Sequence, residues 1–117
     1  MDAVATTVGL SLIAMGVVSI GLAIPLLQGK IGRNAMYGMR FRQSFQSDAA
    51  WFAINRYGAK RMIAWAAPII ALGCAALFLP LSAHPTFSLL FACLPLGFLL
   101  IAVLDTWRFA KQYAEKN

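Results

Sequence analysis

Apolar residues run almost unbroken through two stretches of the chain, and the charged residues lie outside them. No charged residue occurs between Asp2 and Lys30, and none occurs between Arg61 and Asp105. A transmembrane helix needs roughly 20 apolar residues, so the first stretch fits one span and the second fits two. The sequence therefore predicts an all-α integral membrane protein, a single domain over 1–117, with spans at about residues 4–27, 62–81 and 86–109.

A tight hairpin is predicted between the second and third spans. Pro80, Ser82, His84 and Pro85 interrupt the apolar pattern there, and proline ends or kinks helices. His84 is interpreted as a solvated turn residue because no cysteine or acid accompanies it in the hairpin, and no metal site or cofactor is predicted. The first span lacks the basic leading segment of a signal peptide, so we expect it to be retained.

Composition and the placement of charge support a membrane protein and predict its orientation. Hydrophobic residues make up 61% of the chain and charged residues 12%, whereas soluble domains have about 45–50% and about 25%. Seven of the ten cations lie between the first two spans, three follow the last span, and none lies in the hairpin. Because positive residues stay cytoplasmic, the loop and the C-terminus are expected inside, and the N-terminus and hairpin outside. The net charge of +6 is thus explained by a membrane and membrane lipids, without a nucleic-acid partner.

The second half of the cytoplasmic loop, residues 29–61, has a helical pattern. Ser47 can cap a helix whose first turn contains Asp48, and Gly58 can end or bend it. We interpret this segment as an amphipathic helix that lies in the inner membrane interface and leads into the second span. Its residues at i, i+3, i+4 and i+7, which share one face, are Trp51, Ile54, Asn55 and Gly58.

The first half of the loop contains a close set of polar and turn-forming residues, namely Asn34, Tyr37, Gly38 and Arg40. The guanidinium of Arg40 is a planar fork that suits a carboxylate or a phosphate. Two kinds of partner are open: an internal acid, either Asp48 or Asp105, or the phosphate of a lipid headgroup or an incoming anion. Asp105 also precedes Arg108 by three residues, and an ion pair between those two is the simplest interpretation of its position.

These residues give the chain a resemblance to a known family. The pattern N-x-x-Y-G-x-R followed by W-x-x-x-N-R-Y-G-x-K resembles the SdpI family of small bacterial membrane proteins. The family usually follows the arginine with Thr-Pro and a further Thr, whereas this chain has Phe41, Arg42, Gln43 and Ser44. The matching positions are Asn34, Tyr37, Gly38, Arg40, Trp51, Asn55, Arg56, Gly58 and Lys60.

The resemblance implies a multi-pass protein of the bacterial cytoplasmic membrane that gives immunity to a membrane-active peptide toxin. It also implies a second family role, the sequestration of a transcriptional repressor at the membrane. A signalling or scaffold module that binds a cytoplasmic partner through the basic loop is the alternative. An enzyme is not expected, because Asp48, Asp105, Tyr37 and Ser44 form no recognisable catalytic set. A transporter is not expected either, since no span has a charge in its interior.

We expect the loop to cover the inner mouth of the three-helix bundle. Tyr37, Trp51 and Asn55 would line a shallow interfacial pocket, and Arg40 and Arg56 would hold it in register or contact phosphate. A hydrophobic peptide or a lipid could bind there.

Small residues recur at spacing four within each span, which allows close helix packing in lipid. The pattern fits packing within one molecule, and a homodimer is the alternative. Cys74 and Cys93 are expected at similar depths on either side of the hairpin, as small packing residues. The small residues at this spacing are Ser19 and Ala23, Ala67, Ala71 and Ala75, and Cys93 and Gly97.

Overall fold

The computed structural model describes residues 2–116, which form three long α-helices. Helix α1 spans Ala3–Leu27, α2 spans Asp48–Ala76 and α3 spans Pro85–Lys116. Two short 3-10 helices, Arg42–Phe45 and Leu81–Ala83, lie in the connections. All three α-helices are long and apolar enough to cross a membrane. The predicted class, an all-α protein with three candidate spans, is therefore confirmed.

Helix α2 differs most from the prediction. It begins at Asp48 rather than near Met62, because the Ser47 side chain caps it by accepting a hydrogen bond from the Ala50 amide at 3.0 Å. Gly58 neither ends nor bends it into two helices but lies buried within it. The predicted amphipathic segment is therefore the first part of the spanning helix, and a separate interfacial helix is not confirmed.

The other helix ends also differ from those predicted. Helix α2 ends at Ala76 rather than near Leu81, and α3 continues to Lys116 rather than ending near Phe109. Most of the last residues of α3 are polar, and no proline or glycine lies between Phe109 and Lys116 to interrupt the helix. The apolar pattern marks where a helix lies in lipid and does not mark where the helix stops.

Helix α1 packs along α2 through a row of small and apolar residues. The spacing of this row alternates between four and three, and the mean of 3.5 matches a left-handed pair of helices. The backbones approach closely where Gly9 meets Gly73, since a Cβ added at Gly73 would lie 2.8 Å from the Gly9 carbonyl oxygen. The buried residues of α1 are Ala5, Gly9, Leu12, Gly16, Ser19, Ala23 and Leu26.

The predicted rows of small residues differ in their burial. Ser19 and Ala23 are buried, as packing within one molecule predicts. Ala67, Ala71 and Ala75 are exposed instead, because α2 turns its other face, which includes Ala66 and Gly73, towards α1. Cys93 and Gly97 of α3 are exposed as well, so the prediction of internal packing is wrong for the α2 row and for the α3 row. Both cysteines are free and exposed, so they are not packing residues.

At the hairpin between α2 and α3, Asp2 links the start of α1 to the 3-10 helix Leu81–Ala83. Its carboxylate accepts hydrogen bonds from the Ser82 hydroxyl at 2.6 Å, the Ser82 amide at 2.9 Å and the Ala5 amide at 3.0 Å. These bonds lower the pKa of Asp2 from 3.8 to about 2, and the bond from the Ser82 hydroxyl has the largest effect. Because the pKa is lowered on folding, the resulting stabilisation is present above pH 3.8 and is lost as the pH falls through about 2.

Candidate functional site

The loop between α1 and α2, residues 28–47, is held in place largely by the residues of the sequence motif. Asn34 organises its first turn with four hydrogen bonds. Its side-chain amide donates to the carbonyls of Gly32 and Tyr37, both at 2.9 Å. Its side-chain oxygen accepts from the amides of Met36 and Tyr37. Asparagine can satisfy two donors and two acceptors at once, which explains its place in this turn.

Three further motif residues fasten the loop and α2 to the end of α1 and the residues that follow. The Tyr37 hydroxyl donates to the Leu22 carbonyl. The Arg56 guanidinium donates through Nε to the Leu27 carbonyl at 3.3 Å. The Trp51 indole donates to the Ile31 carbonyl at 2.8 Å. Carbonyls at a helix C-terminus lack partners within the helix, so the contact at Leu27 also caps α1.

The centre of the motif is a contact between the loop backbone and two buried side chains of α2. The amide of Met39 donates to Oδ1 of Asn55, and Nδ2 of Asn55 donates to the Trp51 carbonyl at 3.0 Å. Gly38 has φ of +117°, and a Cβ at this position would lie 2.7 Å from Asn55 Oδ1 and 3.1 Å from the Trp51 ring. Only glycine fits this backbone and this approach.

Gly58 allows the same loop to approach α2 one turn further along. A Cβ at Gly58 would lie 2.8 Å from the Met39 side chain and 3.1 Å from Thr106 of α3. The Met39 carbonyl accepts a hydrogen bond from the buried Ser44 hydroxyl at 2.7 Å. Met39 is therefore fixed by both of its backbone groups and by its side chain.

Arg40 does not have the acidic partner that was one of its two predicted alternatives. Its guanidinium donates to the Ala35 carbonyl within the loop and remains exposed. The two candidate acids are bound by other arginines. Arg33 pairs with Asp48 at 2.8 Å and also donates to the Phe45 carbonyl at 3.3 Å.

Asp105 links α3 to α2, and the predicted pair with Arg108 is wrong. Its carboxylate lies 2.5 Å from Nε of Arg61 and accepts a hydrogen bond from the Tyr57 hydroxyl at 3.0 Å. The Tyr57 ring stacks on Phe109 with centroids 4.2 Å apart. The sequence could have suggested this pairing, because Arg61 and Asp105 bound the charge-free stretch and so lie at one membrane boundary once two spans fold back together.

An apolar groove of about 390 Å³ lies beneath the loop. Met36, Tyr37, Gly38 and Met39 form its loop side. Met62 of α2 also lines it. The rest of the lining comes from α1 and α3, through Leu22, Leu26, Leu99 and Val103.

The structure brings part of the predicted pocket to this groove. Of the three residues predicted to line a pocket, Tyr37 lines the groove, and Gly38, another residue of the motif, does so as well. Trp51 and Asn55 do not, because they are fully buried under the loop backbone. The four groups considered for catalysis are all engaged: Tyr37 with Leu22, Ser44 with Met39, and the two acids with arginines. The lining of the groove is apolar, which suits an apolar ligand.

The protein has three apolar helices, and its loop is held over one end of them by Asn55 and Trp51. These features define a small multi-pass membrane protein with an ordered loop motif. A family model described as the SdpI/YfhL protein family matches residues 30–104, which is more than half of the chain. The chain belongs to this family, as its motif predicted. Comparisons with curated proteins and with solved structures gave no match.

Proposed function

We propose that this protein gives its host immunity to a membrane-active peptide, and that the groove beneath the loop binds an apolar segment of that peptide. The observation that supports this proposal most directly is the groove itself. Its volume of about 390 Å³ lies in the range of about 300–1,000 Å³ that is typical of ligand sites. The family resemblance supplies the functional class, since the family includes immunity proteins.

The lining of the groove suits a hydrophobic ligand of variable shape. Three of its nine residues are methionines, Met36, Met39 and Met62. Methionine is flexible and polarisable, and surfaces rich in it adapt to different apolar partners. Met36 is 91% exposed, so it can move without disturbing the core. A peptide already inserted in the membrane could enter the groove between α1 and α3 without crossing a polar barrier.

A matched pair of substitutions on α3 tests this proposal. Leu99 lines the groove, whereas the adjacent Leu100 is exposed on another part of the helix and does not. The sporulation-delaying peptide is the toxin to which the best-known member of the family gives immunity. We expect Leu99→Trp to abolish survival of a host challenged with this peptide, because the indole fills the groove. Leu100→Trp should preserve survival at the same membrane level, measured by blot.

Arg40→Ala extends the same assay to the exposed cation of the motif. Its loss should reduce survival without reducing the protein level, since within residues 2–116 the Arg40 side chain is hydrogen-bonded to the Ala35 carbonyl alone and is exposed. Asn55→Ala cannot serve this purpose, because it removes a buried clamp.

Full protection by Leu99→Trp at native levels would reject the groove as the toxin site.

We further propose that the protein lies in the bacterial cytoplasmic membrane, with the loop and C-terminus in the cytoplasm and the hairpin outside. The distribution of cations supports this orientation. In a Cys74→Ser/Cys93→Ser background, a membrane-impermeant maleimide should label Ala83→Cys in spheroplasts and label Gln112→Cys only after lysis. Both positions are exposed. The reverse labelling would overturn the orientation.

The second candidate function is a module that binds a cytoplasmic partner through the basic loop. It is favoured by Lys30, Arg40 and Arg42, which are exposed and form no ion pair with any residue between 2 and 116. In that case, Leu99→Trp would leave function intact, while neutralising these three cations would release a co-purifying acidic protein.

A further inference from the structure

A second groove runs along α3, and it shares no residue with the groove beneath the loop. Its polar end is a cleft of about 350 Å³ lined by Arg61, Asp105 and Arg108, with Ile101 and Leu104 as its apolar side. Its apolar end has a volume of about 300 Å³. Ile101 lines both parts, so the two are consecutive along the helix. The apolar end is lined by Leu90, Cys93, Leu94, Gly97, Phe98 and Ile101.

The polar end has an uncompensated positive charge. Asp105 neutralises one of the two arginines through its ion pair with Arg61. Arg108 is exposed and forms no ion pair with the residues between 2 and 116. Two guanidinium groups on one cleft suit an anion such as a phosphate, because arginine donates in a planar fork.

The apolar end has the length of one acyl chain within one leaflet. Ile101 and Leu90 are separated by eleven residues, which corresponds to about 16 Å of helix. Half of a hydrocarbon core of roughly 30 Å is about 15 Å. Gly97 leaves room midway along the groove, since a Cβ there would have no atom within 4 Å. On the α2 side, Phe98 stacks on Trp65 with centroids 5.1 Å apart.

We propose that the α3 groove is a binding site for an anionic phospholipid, with the phosphate at Arg61 and Arg108 and one acyl chain along Gly97. The site lies at the same end of the bundle as the motif loop, so in the proposed orientation it takes its lipid from the cytoplasmic leaflet. It is independent of the peptide groove and of the immunity proposal.

A second copy of the chain is the competing occupant, and charge disfavours it. Two copies inserted in one membrane have the same orientation, so a two-fold interface through this face places groups of equal depth together. The arginines of one copy would then face those of the other, and like charges repel. An anionic lipid instead supplies the charge that the cleft lacks.

The test is native mass spectrometry of delipidated protein in detergent, titrated with phosphatidylglycerol and with phosphatidylcholine of the same acyl chains. Phosphatidylglycerol should bind more tightly. Arg108→Gln should weaken its binding about fivefold, the effect expected for one cation at an anionic lipid. Lys111→Gln, the matched control, removes an exposed charge one turn away that lies over Trp107 outside the cleft, and it should leave binding unchanged.

Gly97→Leu tests the apolar part of the groove, because the new side chain would occupy the acyl-chain position. It should weaken the binding of both lipids. Equal affinity for the two lipids, or an equal loss in Arg108→Gln and Lys111→Gln, would overturn the proposal. A Cys93–Cys93 crosslinked dimer in membranes that Gly97→Leu abolishes would also overturn it, since a second copy would then occupy the groove.

Discussion

Gly38→Ala is expected to detach the loop from α2. The backbone at Gly38 has φ of +117°, which costs a residue with a Cβ about 1–3 kcal/mol. The added carbon would also lie 2.7 Å from Asn55 Oδ1 and 3.1 Å from two atoms of the Trp51 ring. Neither side chain can move aside, because both are buried. With the cost of overpacking, we expect a destabilisation of about 3 kcal/mol.

Two measurements report the detachment of the loop. Thermal unfolding in detergent should occur at a lower temperature in Gly38→Ala than in the native protein. Limited trypsin digestion should cleave faster after Arg40 and Arg42, which are exposed but lie in an anchored segment.

Gly32→Ala is the matched control for this change. Gly32 lies in the same loop, its φ is not positive, and a Cβ there would meet no atom within 4 Å. It should behave like the native protein in both measurements. Equal stability and equal trypsin resistance in Gly38→Ala and Gly32→Ala would show that the loop is not clamped by Asn55 and Trp51.

Gly73→Leu is the second change with a large expected effect, because it separates α1 from α2. A Cβ at Gly73 would lie 2.8 Å from the Gly9 carbonyl oxygen and 3.0 Å from the Ile13 amide nitrogen. These are backbone atoms, so the helices themselves must move apart. Helix packing in lipid depends on close van der Waals contact, and its loss should cost more than about 3 kcal/mol.

The experiment compares Gly73→Leu with Gly21→Leu in the same expression host. Gly21 is exposed on α1 with no atom near its Cβ position, so leucine there should extend into lipid. We expect Gly73→Leu to accumulate poorly in membranes and to unfold at a lower temperature in detergent, while Gly21→Leu remains like the native protein. Normal accumulation and stability of Gly73→Leu would contradict the close crossing of α1 and α2.

The number of spans could be predicted from the sequence because it depends on the cost of placing charge in lipid. The charge-free stretches bounded by Asp2 and Lys30, and by Arg61 and Asp105, sufficed for this. Helix ends outside the lipid depend on caps and on tertiary contacts. The cap at Ser47 was visible in the sequence, but the contacts that keep Gly58 inside α2 were not.

The motif residues could be picked out from the sequence, but the way in which they contact one another could not. The spacing of Asn34, Gly38, Trp51 and Asn55 marked them as one motif, yet it could not show that Trp51 and Asn55 lie beneath the backbone instead of lining a pocket. Most contacts of the motif end on main-chain carbonyls or amides, which have no sequence signature. The groove itself is lined by leucine, methionine and valine, which look like any other residues of a membrane span.

The contacts from Tyr37 and Arg56 to α1 constrain the length of this helix more than its side chains. Both side chains bind carbonyl oxygens, those of Leu22 and Leu27, which every amino acid has. The identities of these two residues therefore do not matter to the clamp, whereas the number of residues between them does. A substitution at Leu22 or Leu27 leaves both acceptors in place, but an insertion between them rotates and shifts one acceptor relative to the other. The clamp thus accepts other side chains at Leu22 and Leu27 but tolerates almost no change in the length of α1 between them.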